Sequence, residues 1–536
     1  MSRWFKSSWI WMVILATTAI YAPLAGRAGD EKARQRSLDT LTEIMGLVQK
    51  QSVDPPAPRQ EAHAAISGML HTLDPHSYYM DESEYRTMRE DQRGSFFGIG
   101  SVIQQQPDGV VVVSTVRDGP SEKVGIRAGD FIREVDGKSC EGLTSNAVVQ
   151  KLRGEKGTVV EVAVQRAGFP GLLRFSITRK EIPSNSVQYA FMLTPTTGFI
   201  AIKDFGETTS EEFEKAVRTL KGEGMTELIV DLRYNGGGML DAATGICRQL
   251  LGPNELIVSQ RGRDGRDMVE TRTPKGATLD TFPMVILINR GTASASEIVT
   301  GAVQDHDRGL VVGVTSWGKG LVQQVMPISR TRGLALTTAR YYTPSGRCIQ
   351  RDYMHGIDDY LLPEDTKAPL GEKGPAYKTD LGRTVYGGGG ITPDYDIDQG
   401  KLTTFVGNLR FRSSAFFKFA VLEKERLEKE KRAIKPQQVP DDELMARFHV
   451  WLKEQKIDCT DAEWNDAQNQ ADMRDQLAME MQNIAFGMEA GFKYISARDP
   501  QVKKALEVMP EAASMLKKKI LSLQAPTKGS ALVATR

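Results

Sequence analysis

The spacing of apolar and polar residues changes character several times along this chain, and each change marks a region. Leu38, Leu41, Met45 and Val48 recur at helical intervals until Asp54, Pro55 and Pro56 interrupt them, and a second helix is expected over 59–73. These make an N-terminal helical segment spanning 30–91. From 92 to 182 the pattern shortens to strand-length runs at 101–104, 110–116, 131–135 and 158–165, with one helical stretch at 145–152. From 183 to 400 it becomes mixed. A strand at 198–205 precedes a helix with Thr209 and Glu212 as a capping box and Phe213, Val217 and Leu220 on its apolar face. Leu228, Ile229 and Val230 suit a buried strand, and after them come the turn Asn235, Gly236, Gly237, Gly238 and another helix from Met239. Strands alternating with helices predict an α/β core. From 401 to 536 the spacing is helical, with Phe416, Phe417, Phe419, Leu444, Phe448 and Leu452 among its apolar positions, and the end after Ala525 reads as disordered. Such a helical C-terminal extension is expected to serve assembly, with a simple packed cap as the other reading.

The stretch 284–324 concentrates the candidate chemistry. The apolar run Met284–Ile288 meets the breakers Asn289 and Gly291, and a helical pattern follows over 293–306, so Ser294 falls on a strand-to-helix turn. Helix-start amides favour the negative oxygen of an acyl-transfer intermediate. The same position also suits a plain N-cap serine. Further along, Lys319, Leu321 and Gln323 are expected to share one face of an extended strand. A neutral lysine can act as general base for a serine. With a reference pKa of about 10.4, only roughly 4 in 10,000 lysines are neutral at pH 7, so the site must supply on the order of 4 kcal/mol. Burial beside Trp317 and Val322 can supply it, and Gln323 is placed to orient the amine. Gly313, Gly318 and Lys319 nearly spell a phosphate-binding loop, but Gly320 stands where that loop needs Ser or Thr.

Composition narrows the field. A net charge of +1 over 536 residues excludes a polybasic nucleic-acid or membrane-surface binder. Arg3 and Lys6 precede an apolar stretch at 9–22 and small residues to Ala28, which reads as a signal peptide over 1–28. The chain is therefore expected to be exported to the periplasm or cell envelope, with an uncleaved membrane anchor as the other reading. Cys140, Cys247, Cys348 and Cys459 are too scattered for a metal site or a disulfide framework. No metal and no cofactor are expected.

The segments GTASASE (291–297), GKGLVQQ (318–324) and TTARYYTPSGR (337–347) resemble the carboxy-terminal processing proteases, a serine-lysine peptidase family. The resemblance implies Ser294 as nucleophile, Lys319 as general base and Gln323 as the residue that positions the lysine. It assigns the oxyanion hole to the amides of Gly238 and Ala295, with Gly237 the near alternative, and leaves Ser296 structural. Asp305 corresponds to an aspartate that supports function in some members; an acid on a solvated helix face is the other reading. The motif LDPHS around His76 resembles a structural turn. The core is expected to be of the ClpP/crotonase-like type. The unit 92–182, with its run from Gly125 to Gly137, resembles a PDZ domain, in which the amides of Phe97, Gly98, Ile99 and Gly100 would receive a peptide carboxylate. The expected function is a serine endopeptidase that recognises the C-terminal tail of exported proteins or peptides and cuts near it. Expected partners are chains with exposed C-termini, a second copy bound through the C-terminal helices, and an adaptor protein. A non-catalytic PDZ scaffold or chaperone is the alternative, and an acyl-CoA enzyme of the crotonase type lacks any adenine-binding signal.

Overall fold

The computed structural model describes residues 31–166, 168–265, 268–353, 360 and 374–524. The signal peptide expected at 1–28, most of the charged surface excursion expected at 352–378 and the end after 525 lie outside the described residues.

A central sheet runs in the order Val187–Met192, Thr197–Ile202, Glu227–Asp231, Met284–Ile288, Leu310–Gly313, Tyr395–Asp396. The first pair is antiparallel and the others are parallel. Parallel neighbours need crossovers, and the helices Thr209–Gly222, Leu240–Leu250 and Ala295–Asp305 lie in them. All three pack on one face, where Phe213, Ile246 and Val299 join Ile200, Val230 and Ile286 in one cluster. The opposite face is covered by the C-terminal helix Pro500–Gln524, whose Val502, Val508 and Met509 meet Phe199, Ile229 and Val285. Coverage on both sides explains why Met284–Ile288 is apolar and buried at every position.

Within the region beyond 401, expected to serve assembly, this helix is engaged inside the chain. Its apolar stripe is a layer of the core, because spacing reveals that a face is apolar but not which surface covers it. The helices Ala415–Lys429, Asp442–Glu454 and Ala467–Phe486 form a bundle around Phe416, Phe419, Phe448 and Leu477. Phe417 packs the same bundle against Val111 and Val113.

Those two valines belong to a separate sheet in the order Ser101–Gln106, Gly109–Thr115, Phe131–Val135, Val159–Gln165, Leu172–Thr178. Val148 and Leu152 of the helix Ser145–Leu152 close its core. Ser101–Gln106 is an edge strand in this sheet. A third sheet places Leu321–Pro327 against Gly333–Tyr342, which also pairs with Tyr78–Met80 and Leu256–Arg261. All four cysteines are free thiols.

Candidate active site

Ligand sites in open parallel sheets gather at the carboxyl ends of the strands. Here the glycine turn follows Glu227–Asp231, Ser294 follows Met284–Ile288 and Lys319 follows Leu310–Gly313. Three neighbouring strands thus deliver three parts of one site.

Ser294 sits at φ 56°, ψ −117°, immediately before the helix Ala295–Asp305. A non-glycine residue held there costs about 1–3 kcal/mol and persists only when its surroundings fix it. The turn is fixed from behind. Asn289 Oδ1 accepts the N–H groups of Gly291 and Tyr234, each at 2.9 Å, and Thr292 Oγ1 donates to the Leu232 carbonyl at 2.8 Å. The Ser294 side chain makes no helix-capping hydrogen bond, so its hydroxyl is not committed to the N-cap role.

The glycine turn presses against this serine. A Cβ on Gly237 would lie 2.7 Å from Ser294 Cβ, and one on Gly238 only 2.2 Å from the Phe205 carbonyl oxygen, so neither position tolerates a side chain. Asn235 organises the turn. Its Oδ1 accepts Gly237 N–H at 2.9 Å, and its carbonyl accepts Ala293 N–H and Ser296 Oγ, each at 3.0 Å. Gly237 N–H is therefore occupied. Among the described residues, the Gly238 and Ala295 N–H groups have no hydrogen-bond partner.

Glu297 ties the two reactive turns together, and sequence reasoning missed it. Fully buried, it accepts Ser294 N–H at 2.8 Å and Lys319 N–H at 2.9 Å on one oxygen, and Gly318 N–H at 2.7 Å with Ser316 Oγ at 2.5 Å on the other. Its signal was present: a glutamate three positions after a serine at a helix start is a capping-box pattern. Tyr341 was also missed, although it lies in the segment 337–347, because a strand residue's distant partners leave no mark along the chain. Its hydroxyl meets the Ser294 carbonyl at 3.1 Å and also donates to the Lys319 carbonyl.

Ser294, Lys319 and Gln323 line one cavity of about 280 Å³ with Gly238 and Ala295. Burial lowers the Lys319 pKa from a lysine's usual value, against the opposing charges of Glu297 and Asp74. Val322 lines the same cavity, whereas Trp317 donates to the Tyr360 hydroxyl at 3.1 Å. Asp74 accepts the N–H groups of His76 and Ser77, each at 2.8 Å, closing a local turn. Burial and the nearby Lys319 lower His76 to about 4, so it is neutral at pH 7.

Two sequence expectations are corrected. Lys319 precedes the strand Leu321–Pro327, and the register shifts between Val322 and Gln323, so strict alternation does not carry from 319 to 323. The Gln323 amide donates to Thr337 Oγ1 at 3.2 Å. Asp305 is neither solvated nor in the cavity: it pairs with Arg347 at 2.7 Å, both side chains 0% exposed, and accepts Ser345 N–H at 3.0 Å. A partner 42 residues away holds it, which helix periodicity does not reveal. In the small sheet, Phe97 and Gly98 lie in the strand Ser95–Gly98 paired with Lys180–Pro183. Only Ile99 and Gly100 lie between that pairing and the edge strand, and among the described residues their N–H groups have no partner. The expected four-residue nest therefore straddles a strand end, with Gly98 in a hydrogen-bonded pair of the ladder and Phe97 in a non-hydrogen-bonded one.

A second groove of about 660 Å³ shares Tyr78, Met88, Gln92 and Gly238 with the cavity and reaches Gln150 on the helix Ser145–Leu152.

Comparison with known proteins places residues 196–359 in peptidase family S41 and residues 111–166 in the PDZ domain family. The carboxy-terminal-processing protease of Bartonella bacilliformis is 36% identical over 376 residues, covering 69% of this chain and 85% of that protein. Carboxy-terminal processing protease CtpB of Bacillus subtilis is 32% identical over 335 residues, covering 62% and 69%. Among solved structures, the photosystem II D1 C-terminal processing protease is 29% identical, covering 65% of this chain and 84% of that one, with a TM-score of 0.35.

Proposed function

Because this chain belongs to the carboxy-terminal processing serine proteases of peptidase family S41, we propose that it cleaves exported proteins near their C-terminal tails with a Ser294–Lys319 dyad. Neutral Lys319 takes the Ser294 hydroxyl proton as the oxygen attacks the scissile carbonyl carbon. The amides of Gly238 and Ala295 bind the resulting oxyanion. Collapse breaks the C–N bond, Lys319 returns the proton to the leaving amine, and water, deprotonated by Lys319, then hydrolyses the acyl-enzyme.

The observation that carries this reading is the shared cavity: nucleophile, lysine and two unpartnered amides line one space. Gln323 acts from the same wall and orients the lysine amine when its amide leaves Thr337. Asp305 supports the reaction only at a distance, by holding the 343–347 turn through Arg347. The PDZ unit takes the substrate's terminal carboxylate at Ile99 and Gly100, with the tail added beside the edge strand Ser101–Gln106. The groove past Gln150 leads the chain to Ser294. The core is of the ClpP/crotonase-like type. The protein works in the periplasm or envelope, takes an adaptor, and self-associates through the bundle, where Phe411 and Val450 are exposed.

The test compares the chain lacking residues 1–28 with its Ser294→Ala and Lys319→Ala variants on an unfolded substrate with an apolar C-terminus. Loss of the nucleophile or its base is expected to lower kcat by roughly 10³-fold or more. Equal turnover by all three proteins removes the assignment. Activity that rises only above a lysine's usual 10.5 would leave the serine but remove the lowered lysine pKa.

A further inference from the structure

The strain at Ser294 needs a restraint on each side of its peptide unit. On the N–H side the restraint is Glu297 at 2.8 Å. On the carbonyl side, the helix amides of Glu297 and Ile298 donate at 2.8 and 3.0 Å, but they belong to the same helix and would move with it. The Tyr341 hydroxyl is different. It lies on the strand Gly333–Tyr342, meets the Ser294 carbonyl at 3.1 Å, and donates to the Lys319 carbonyl. The same residue's backbone N–H donates to Gly320 O at 2.9 Å. Tyr341 is 2% exposed, and its ring belongs to the main apolar cluster, so it is a fixed point and not a swinging side chain.

We propose that Tyr341 is a positioning residue for the reaction, its hydroxyl holding the strained Ser294 turn in register with the Lys319 turn. This rests on the reading of Ser294 and Lys319 as nucleophile and base. Tyr341 need not touch substrate. Its single proton bridges two carbonyls on different turns, while Glu297 gathers the N–H groups of the same two residues. Between them, both peptide faces of the dyad are held, and Tyr341 supplies the contact from outside the serine helix. Burial pushes the Tyr341 phenol well above its usual range, helped by the charge of Glu297, so the bridging proton is present at every working pH.

Tyr341→Phe keeps the packed ring and removes only the hydroxyl. Without the bridge Ser294 can relax toward an unstrained conformation, carrying Oγ away from the lysine. Misplacement on the order of 1 Å costs about 10²-fold, so kcat is expected to fall roughly 10- to 100-fold. KM, the affinity of the PDZ unit for a labelled C-terminal peptide, and the position of the rising limb of the pH–rate profile should stay within about twofold, since Lys319 keeps its charged neighbours. Labelling of Ser294 by a small fluorophosphonate, which needs no tail recognition, should slow by the same factor as kcat. Replacing Tyr341 with 4-aminophenylalanine restores a donor at the same place and should recover most of the rate; this variant also decides the matter if Tyr341→Phe folds poorly. Wild-type kcat and labelling rate in a folded Tyr341→Phe, or no recovery with the amino analogue, would overturn the proposal. Neither result would touch the dyad, which stands or falls with Ser294→Ala and Lys319→Ala.

Discussion

Glu297 shows how one side chain can serve geometry and electrostatics in opposite directions. Its four donors hold the turns of Ser294 and Lys319 together, yet its negative charge works to keep Lys319 protonated, and burial of the amine overcomes that pull. Glu297→Gln separates the two effects. Loss of the charge lets the Lys319 pKa fall further, so the rising limb of the pH–rate profile moves to lower pH. The amide NH₂ meanwhile confronts N–H donors, leaving at least one buried donor unpaired at about 1–3 kcal/mol. The expected result is a lower plateau, a lower Tm and an earlier limb, read from a pH–rate series and a melting curve. A limb that moves to higher pH would contradict the assigned role of the charge.

At the scale of elements, the serine helix is anchored at its far end by a cluster of charged groups around His306. His306, which caps that helix, offers Nδ1 to Asp380 at 2.9 Å and Nε2 to the Leu256 carbonyl at 2.7 Å. Both neighbours are acceptors, so the ring is held as an imidazolium. Burial opposes the charge, but Asp380, Glu255 and the Leu256 carbonyl raise the His306 pKa above the usual 6.5. Lys519 of the C-terminal helix reaches the same acids, at 2.6 Å from Glu255 and 2.5 Å from Asp380. A histidine pKa raised by folding contributes stability in full below the unfolded value, and that contribution is lost as pH rises through the folded value. Tm is therefore expected to decline above pH 6.5 through the raised His306 pKa, and His306→Gln should flatten the decline. An identical slope in the variant would assign the effect to other groups.

For the whole molecule, the C-terminal helix closes the core. Asp499, at its start, takes the buried Arg233 guanidinium at 2.6 Å, two residues before Asn235 of the glycine turn. Val502, Ala505, Val508, Met509, Ala512 and Met515 then line the sheet. At about 1.5–3 kcal/mol for each large aliphatic side chain, this layer amounts to on the order of 10 kcal/mol. That is comparable with the full stability of a typical domain, about 5–15 kcal/mol. A chain ending at residue 498 is expected to be insoluble or to lack a cooperative melt. A soluble, cooperatively melting truncation with full activity would show the layer to be dispensable.

The order of amino acids by itself determined what depends on neighbours in the chain. Apolar runs bounded by breakers marked the strands, and a serine and a glycine turn each fell where a strand yields to a helix. Amide donors at such turns follow from backbone geometry alone, so two amide-rich turns were legible, while the choice of Gly238 and Ala295 came from the family resemblance; Asn235 occupies the Gly237 N–H and, among the described residues, leaves that of Gly238 without a partner. Tertiary structure decided every question of who meets whom across distance. It placed Gln323 against Thr337 through a register shift, buried Asp305 on Arg347, and drew Phe97 and Gly98 of the expected carboxylate nest into a strand pairing. It also laid the last helix on the sheet and brought Tyr341 to both reactive turns. A pattern along the chain records which faces are apolar and where donors stand, whereas pairing is settled by the packing of the whole core, in which each face takes the partner that leaves the fewest polar groups unpaired.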